Sequence, residues 1–327
     1  MSNNLIIERE KGLVELERRI AELRQVSAAQ PLDMSSEIGA LERKYEQILA
    51  ELFGTLTPWQ KVHMARHPAR PTSLDYISRF DRFDELHGDR QFRDDPSIVG
   101  GFALLRSRPV MVIGQQRGRD TRENLRRNFG MPAPEGYRKT SRLARLAARL
   151  RLPIVTFVDT KGADPGISSE ERAQSEAIAT CLQTFSTARV PIVTTIIGEG
   201  GSGGALALAI ADRVIMLEHS TYSVASPEGC AAILWSDASK AEEAAARLKL
   251  TADDLRRFGV VDEIITEPLG GAHRNAEDVV KRTLEVIDAA LTQLTPLSEE
   301  RLMEERYRKY RRLGEWQAEG LEPIGAQ

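Results

Sequence analysis

"GEGGSGGAL", Gly198 to Leu206, places five glycines in nine residues at the end of the apolar run "RVPIVTTII" (189–197). So much backbone freedom after a buried strand has three chemical uses. A phosphate loop is excluded, because no Gly-Lys-[Ser/Thr] occurs in the stretch. A dinucleotide turn fits on paper: Gly198-x-Gly200-x-x-Gly203 matches G-x-G-x-x-G, and Glu218 lies 20 residues on. Against this Rossmann-type nicotinamide reading, only the nine residues Gly203–Ala211 remain for a crossover helix, and the motif lies two-thirds along the chain. The third use is a set of free amides. A helix beginning at Gly203-Gly204-Ala205 presents N–H groups that have no intrahelical partner and carry the positive end of its dipole. Glycine there lets a reacting oxygen approach without meeting a Cβ. One such donor contributes about 3 kcal/mol to charge developing on an oxygen. On that reading Gly204→Val lowers kcat about a hundredfold and leaves folding largely intact. Tight helix–sheet packing alone is the alternative use of the glycines.

Outward from this stretch, the same design recurs. "SRPVMVIGQQRGR" (107–119), "RLPIVTFVDTKGADPG" (151–166) and "RVPIVTTIIGEGGSGG" (189–204) each set a basic residue within two positions of a proline, then a β-rich run, then a glycine turn. Helical stretches, "TSRLARLAARL" (140–150) and "SSEERAQSEAIATCLQTFSTA" (168–188), lie between them, and "RVIML" (213–217) follows a short helix. These features predict an α/β protein with parallel strands and helical crossovers. "GADPGIS" (162–168) is a second turn-then-helix, which would aim its amides into the same crevice.

At the N-terminus Leu13, Leu16, Ile20 and Leu23, then Ile38, Leu41, Tyr45, Ile48 and Leu52, mark the seams of an antiparallel helical hairpin around Pro31-Leu32-Asp33. Residues 238–258 read as helical, with a helix start at "TADDL", and "VVDEII" (260–265) reads as a strand. Val279, Val280, Leu284, Ile287 and Leu291 form one face of a helical tail from Ala276 to about Arg312, and the last dozen residues fray. Three domains follow: a hairpin (1–60), a core (61–272) and a helical extension (273–327).

The 327 residues carry a net charge of −3, which gives no general argument for nucleic acid or membrane, and no apolar run reaches membrane-spanning length. Cys181 and Cys230 lack a CxxC spacing; no metal site is expected in this chain, and a reduced cytoplasm fits best. Arg117 to Arg151 holds eleven Lys/Arg against three Asp/Glu. Part of this is a solvated face; Arg126, Arg127, Arg138 and Lys139 are candidates for the phosphates of a ligand or an acidic partner. Nucleic acid is a weaker fit, since Phe129 and Tyr137 are the few aromatics there. His273, in "GGAHRN", reads as structural.

"IIGEGGSGGALAL" (196–208), "RRNFGMPAPEGYRK" (126–139), "PEGCAAILW" (227–235), "EPLGGAHRN" (267–275), "ARHPARPTSLDYI" (65–77), "FDELHGDR" (83–90) and "IVGG" (98–101) together resemble the carboxyltransferase alpha subunit of bacterial acetyl-coenzyme A carboxylase, over nearly the whole chain. The resemblance implies a crotonase-type fold, a spiral of ββα units, in an α2β2 carboxyltransferase working with biotin carboxylase and a biotin carboxyl carrier protein. It implies carboxyl transfer from carboxybiotin to acetyl-CoA, giving malonyl-CoA for fatty acid synthesis, with zinc in the beta partner and this chain inert alone. Such transfer generates two oxyanions and needs no side-chain nucleophile, so glycine-presented amides suit it. By resemblance Gly203 and Gly204 form the oxyanion site, Gly166 and Ile167 are the neighbouring pair, and Lys161, Asp164, Gly200 and Gly201 line the cofactor side. The chain departs from the family's D-T-P-G-A-Y-P-G-V-G-A-E-E at Lys161, Asp164, Ser168 and Ser169, and Gln115 stands for a histidine. Lys161 and Asp164, opposite in charge and three apart, read as a compensating pair. The departures leave open a paralogue with a changed acyl acceptor, a variant that tolerates an inhibitor of the ordinary enzyme, or a non-catalytic assembly role.

Overall fold

The computed structural model describes residues 5–29 and 34–314. The 31–33 connection and the frayed terminus expected from sequence lie outside these residues. Helices α1 (Leu5–Ala29) and α2 (Ser35–Phe53) open the chain, followed by α3 (Pro58–Ala65) and α4 (Ser73–Ile77). The long pair is antiparallel: Arg24 bonds Glu42, while the Tyr45 hydroxyl donates to Glu17 at 2.6 Å. Leu13 is buried with Phe53 and Met64, which seats the hairpin on α3.

One eight-stranded sheet forms the centre. Its strands are β1 (Arg82–Glu85), β2 (Ile98–Leu105), β3 (Arg108–Gln115), β4 (Ile154–Thr160), β5 (Ile192–Gly201), β6 (Arg213–Leu217), β7 (Thr221–Ser223) and β8 (Glu263–Ile265). The order is β1-β2-β3-β4-β5-β6-β8, with β7 pairing the far end of β5. The first three strands are antiparallel; β3, β4, β5, β6 and β8 are parallel, as the repeated segments predict. The prolines explain the repeat. Pro153 O accepts from Met111 N and Pro191 O accepts from Ile154 N, both at 2.8 Å, so each proline begins the ladder to the strand before it without needing an N–H of its own.

The crossovers are α5 (Thr121–Arg126) and α6 (Pro134–Leu150) after β3, α7 (Ile167–Glu171) and α8 (Gln174–Thr187) after β4, and α9 (Ser202–Ala209) after β5. Then come α10 (Pro227–Trp235), α11 (Ala241–Leu248), α12 (Ala252–Arg257), α13 (Ala276–Leu294) and α14 (Glu299–Arg311). The expected helix over 238–258 breaks at Lys249, whose φ is 53°, and Thr251 caps α12 through Asp254 N at 3.3 Å. The tail likewise breaks, and Ser298 caps α14.

Side chains alternate across the sheet. Ile154 and Val158 face Tyr137, Leu143, Phe185 and Leu208 of α6, α8 and α9. Val155 and Phe157 face Tyr76 of α4 and Val279, Leu284 and Ile287 of α13. The boundary expected at 272/273 therefore falls inside one core: α13 is a full layer of it, because its apolar stripe covers the second face of the sheet.

Candidate active site

β4 and β5 end side by side, and both emit the turns singled out above. The glycines at the end of β5 do different things. A Cβ on Gly198 would strike the Asp159 carboxylate, one on Gly200 would lie 2.9 Å from the Tyr222 ring, and one on Gly201 would strike the Lys161 carbonyl. Gly200 and Gly201 are thus packing positions, buried within β5, and not cofactor contacts. The Rossmann reading fails for the same reason: its first two glycines are strand residues closed over by neighbours, and Glu218 accepts Glu267 N at 2.9 Å.

Gly204 is also a packing position. Its Cβ would strike Ala163 N and come within 2.7 Å of Gly162 C and of Tyr137 Oη. A valine there cannot leave the fold undisturbed, contrary to expectation. Gly203 differs: its nearest neighbour would be Ile178 Cγ2 at 3.7 Å. Directly before it, Ser202 has φ 56°. A left-handed residue leading into a right-handed helix turns successive N–H groups toward one concave side, a nest that suits an anionic oxygen. The first amides of α9 lack an intrahelical acceptor, and of its two glycines Gly203 is the partly exposed one. Beside them a pocket of about 260 Å³ is lined by Ser202, Leu206, Tyr222, Val224 and Leu255. The strained Ser202 had a legible sequence signal, the strand–turn–helix pattern Gly200-x-Ser202-x-Gly204, overlooked because it overlaps the glycine fingerprint.

Gly166 is not a free donor. Its N–H is held by Asp164 Oδ1 at 3.3 Å, and its carbonyl accepts from Ser169 N and Glu170 N. Ile167 is 80% exposed beside it. Lys161 is exposed and forms no ion pair with Asp164, so the two are not a compensating pair. The Asp164 carboxylate instead accepts the Ser169 hydroxyl, so two of the departures from the family pattern satisfy each other. Ser168 does the same for Arg172.

The basic quartet divides. Lys139 is fully buried, its Nζ donating to Asp94 Oδ1 at 2.7 Å and to Asp95 O at 2.9 Å. Arg127 ties Glu123 to Pro96 O, and Arg138 donates to Arg172 O at 2.6 Å. These three are internal struts, which corrects their assignment to a ligand's phosphates; Arg126 alone is exposed.

A polar frame lies beneath the turns. Asp159 Oδ2 accepts Arg117 Nε at 2.8 Å and its Oδ1 accepts Glu199 N at 3.0 Å. Burial pushes the Asp159 carboxyl above its usual value, with Arg117 and the Glu199 N–H pulling it back. Arg66 joins Glu199 to Glu228 of α10. Burial holds the Tyr137 phenol well above its usual value, so its hydroxyl stays protonated.

Among the described residues one trio, Glu10, His67 and His273, brings possible metal ligands within 4.8 Å. His67 Nδ1 accepts Ala69 N at 3.2 Å, which puts its proton on Nε2, facing Glu10. A neutral imidazole ligating through Nε2 would turn an Nδ1 proton against the Ala69 N–H, so the trio suits a strut and not an ion. His273 stacks on His67 with ring centroids 3.8 Å apart and bonds the same carboxylate, in keeping with a structural role.

A mixed sheet whose parallel strands are joined by helical crossovers and lead into an amide nest defines a class: the crotonase-type fold. Solved structures agree. Transcarboxylase 12S superimposes with a TM-score of 0.55 at 20% identity, over 69% of this chain and 42% of that one. A Pseudomonas malonate decarboxylase hetero-tetramer does so at 0.55 and 17%, over 67% and 87%. Within that class the chain belongs to the acetyl-coenzyme A carboxylase carboxyltransferase family, whose pattern matches residues 6–314. It is 55% identical over 310 residues to the acetyl-coenzyme A carboxylase carboxyl transferase subunit alpha of Geobacillus thermodenitrificans, covering 94% of this chain and 95% of that protein. The Thermus thermophilus subunit alpha is 54% identical, over 94% and 98%.

Proposed function

We propose that this chain is the alpha half of a carboxyltransferase that moves a carboxyl group from carboxybiotin, held on a biotin carboxyl carrier protein, to acetyl-CoA, giving malonyl-CoA for fatty acid synthesis. The observation that carries the site assignment is the contrast between Gly203, open to solvent beside a left-handed Ser202, and the closely packed glycines around it. Biotin supplies a carboxyl carrier whose oxygen takes up charge when the carboxyl leaves. The Gly203 and Gly204 amides would receive such an oxygen, and the apolar wall of Leu206, Tyr222 and Val224 fits the uncharged side of a ring system. Arg126 is placed on the surface for a CoA phosphate or an acidic partner.

Ile167, Val224 and Ile233, 80%, 79% and 78% exposed, suit the cover of a zinc-bearing beta subunit in an α2β2 assembly that works with biotin carboxylase. No described helix is long and apolar enough to cross a membrane, and both cysteines are free, which fits a cytoplasmic enzyme. Asp164 beside Ser169 is self-satisfied, which favours retained activity over an assembly-only role.

The test is carboxyl transfer by the chain co-purified with a family beta subunit, compared with the chain alone. Turnover is expected only in the complex, and Gly203→Val, which has room at its Cβ, lowers kcat about a hundredfold while the complex stays folded. Turnover by the single chain, or an unchanged kcat in Gly203→Val, refutes the reading.

A further inference from the structure

Gln115 ends β3, and its side chain is fully buried beneath both glycine turns. Its Oε1 accepts Asp159 N at 3.1 Å, near the end of β4, two residues before the turn at Lys161. Its Nε2 donates to Gly204 O at 2.7 Å, in the first turn of α9. Its own carbonyl is held by the Ser73 hydroxyl at 2.6 Å, which fixes the side chain's base. One amide thus links the two turns, and the link is directional: an acceptor is required toward β4 and a donor toward α9. The turns also meet each other directly, where a Cβ on Gly204 would strike Gly162 and Ala163. No other side chain among the described residues bonds both Gly204 and Asp159.

We propose that Gln115 is a positioning residue for the transfer reaction, setting the depth of the Gly203–Gly204 amides against the 161–166 turn through its paired bonds to Gly204 O and Asp159 N. This rests on the amide reading of the site. The energetic logic is geometric: donors act on charge that develops at one point, and a displacement of about 1 Å costs on the order of a hundredfold in rate. The ground state, which draws on remote contacts, is less affected, so kcat falls and KM does not.

The experiment uses the complex with the beta subunit and two substitutions. Gln115→Met keeps the volume and removes both bonds. It should lower kcat at least tenfold, with KM for acetyl-CoA within threefold of the unmodified complex and the fold intact by thermal melting. A kcat within threefold overturns the proposal. Gln115→Glu remains decisive if the methionine variant does not fold. Protonated, it restores both bonds; ionised, it turns a charged oxygen on Gly204 O. Asp159 of β4, Glu199 of β5 and Arg117 after β3 also face this region, so the rate is read as a ratio to the unmodified complex at each pH. That ratio should fall at least tenfold from pH 6 to pH 9; a flat ratio overturns the proposal. Gly203→Val separates the two readings. If it retains kcat, the amide assignment fails; if it loses kcat while the Gln115 variants keep theirs, only the role of Gln115 fails.

Discussion

Gly203 and Gly204 are adjacent on one helix turn, yet alanine at each should have opposite consequences for stability. At 203 the new methyl group meets only Ile178 Cγ2, at an ordinary 3.7 Å. Replacing a helical glycine by alanine then favours the helix by up to about 1 kcal/mol. At 204 the methyl group strikes the backbone of Ala163 and lies 2.7 Å from Gly162 C and from the Tyr137 hydroxyl. None of these can give way as the end of a flexible side chain would: the 161–166 turn is fastened by Asp164 N to Pro132 O at 2.9 Å and by Gln174 to Asp164 O at 3.0 Å. Overpacking of this kind costs about 1–3 kcal/mol. At roughly 2–4 °C per kcal/mol for a large domain, Gly204→Ala should lower Tm by about 2–12 °C, and Gly203→Ala should hold or raise it. Differential scanning of the two variants beside the unmodified chain reads this directly. Equal losses at both positions would refute the division of the glycines into packing and open positions.

Asp164 and Ser169 should couple: Asp164→Asn with Ser169→Ala should deviate from additivity by about 1 kcal/mol in urea unfolding, whereas Asp164→Asn with Lys161→Ala should add, and coupling to Lys161 instead would reverse the assignment. Burial raises the Glu10 pKa, but hydrogen bonds from His273 and His67 outweigh it and hold the group at about 2 against an ordinary 4.5. Its stabilisation is therefore full above about pH 4.5 and is lost as pH falls toward 2, so the stability gap between the unmodified chain and Glu10→Gln should close as pH falls from 4.5; a gap that grows over that acid range contradicts this. Lys139→Met removes the buried donor to Asp94 and Asp95 O and should cost about 2 kcal/mol while leaving KM for acetyl-CoA unchanged, and Arg126→Glu should do the reverse; a raised KM in Lys139→Met would return that lysine to the ligand site.

The three proline-led strands and their crossovers were readable because local pattern and global role coincide there: each run is buried on both faces, and each crossover carries its own periodicity. The short pieces were not. β1 and β2 flank a hairpin without a repeated signature, and α3 and α10 are short helices defined by caps and by ion pairs to distant residues, such as Arg66 to Glu199 and Glu228. The site was legible as a location, since glycine turns after buried strands mark it. Which amides are free was not, because that depends on what lies over each glycine: a carboxylate from β4 at Gly198, a ring from β7 at Gly200. The basic stretch misled for a related reason. Composition counts charges, but Lys139 points inward to partners 44 and 45 residues away in sequence.

The hairpin of α1 and α2 is fastened to residues made long after it. Glu10 reaches His273, and Glu17 reaches Arg274 at 2.7 Å, separations of 263 and 257 residues. At a ribosomal pace of about 5–20 residues per second, tens of seconds pass between the emergence of Glu10 and that of its partner. Through that interval α1 and α2 have each other, α3 and His67 for company, and the surface that later meets His273 and Arg274 is available to chaperones or to another copy's hairpin. Docking onto His273 thus closes that interval, and a nascent fragment that stops before residue 273 would carry its own handle for disposal.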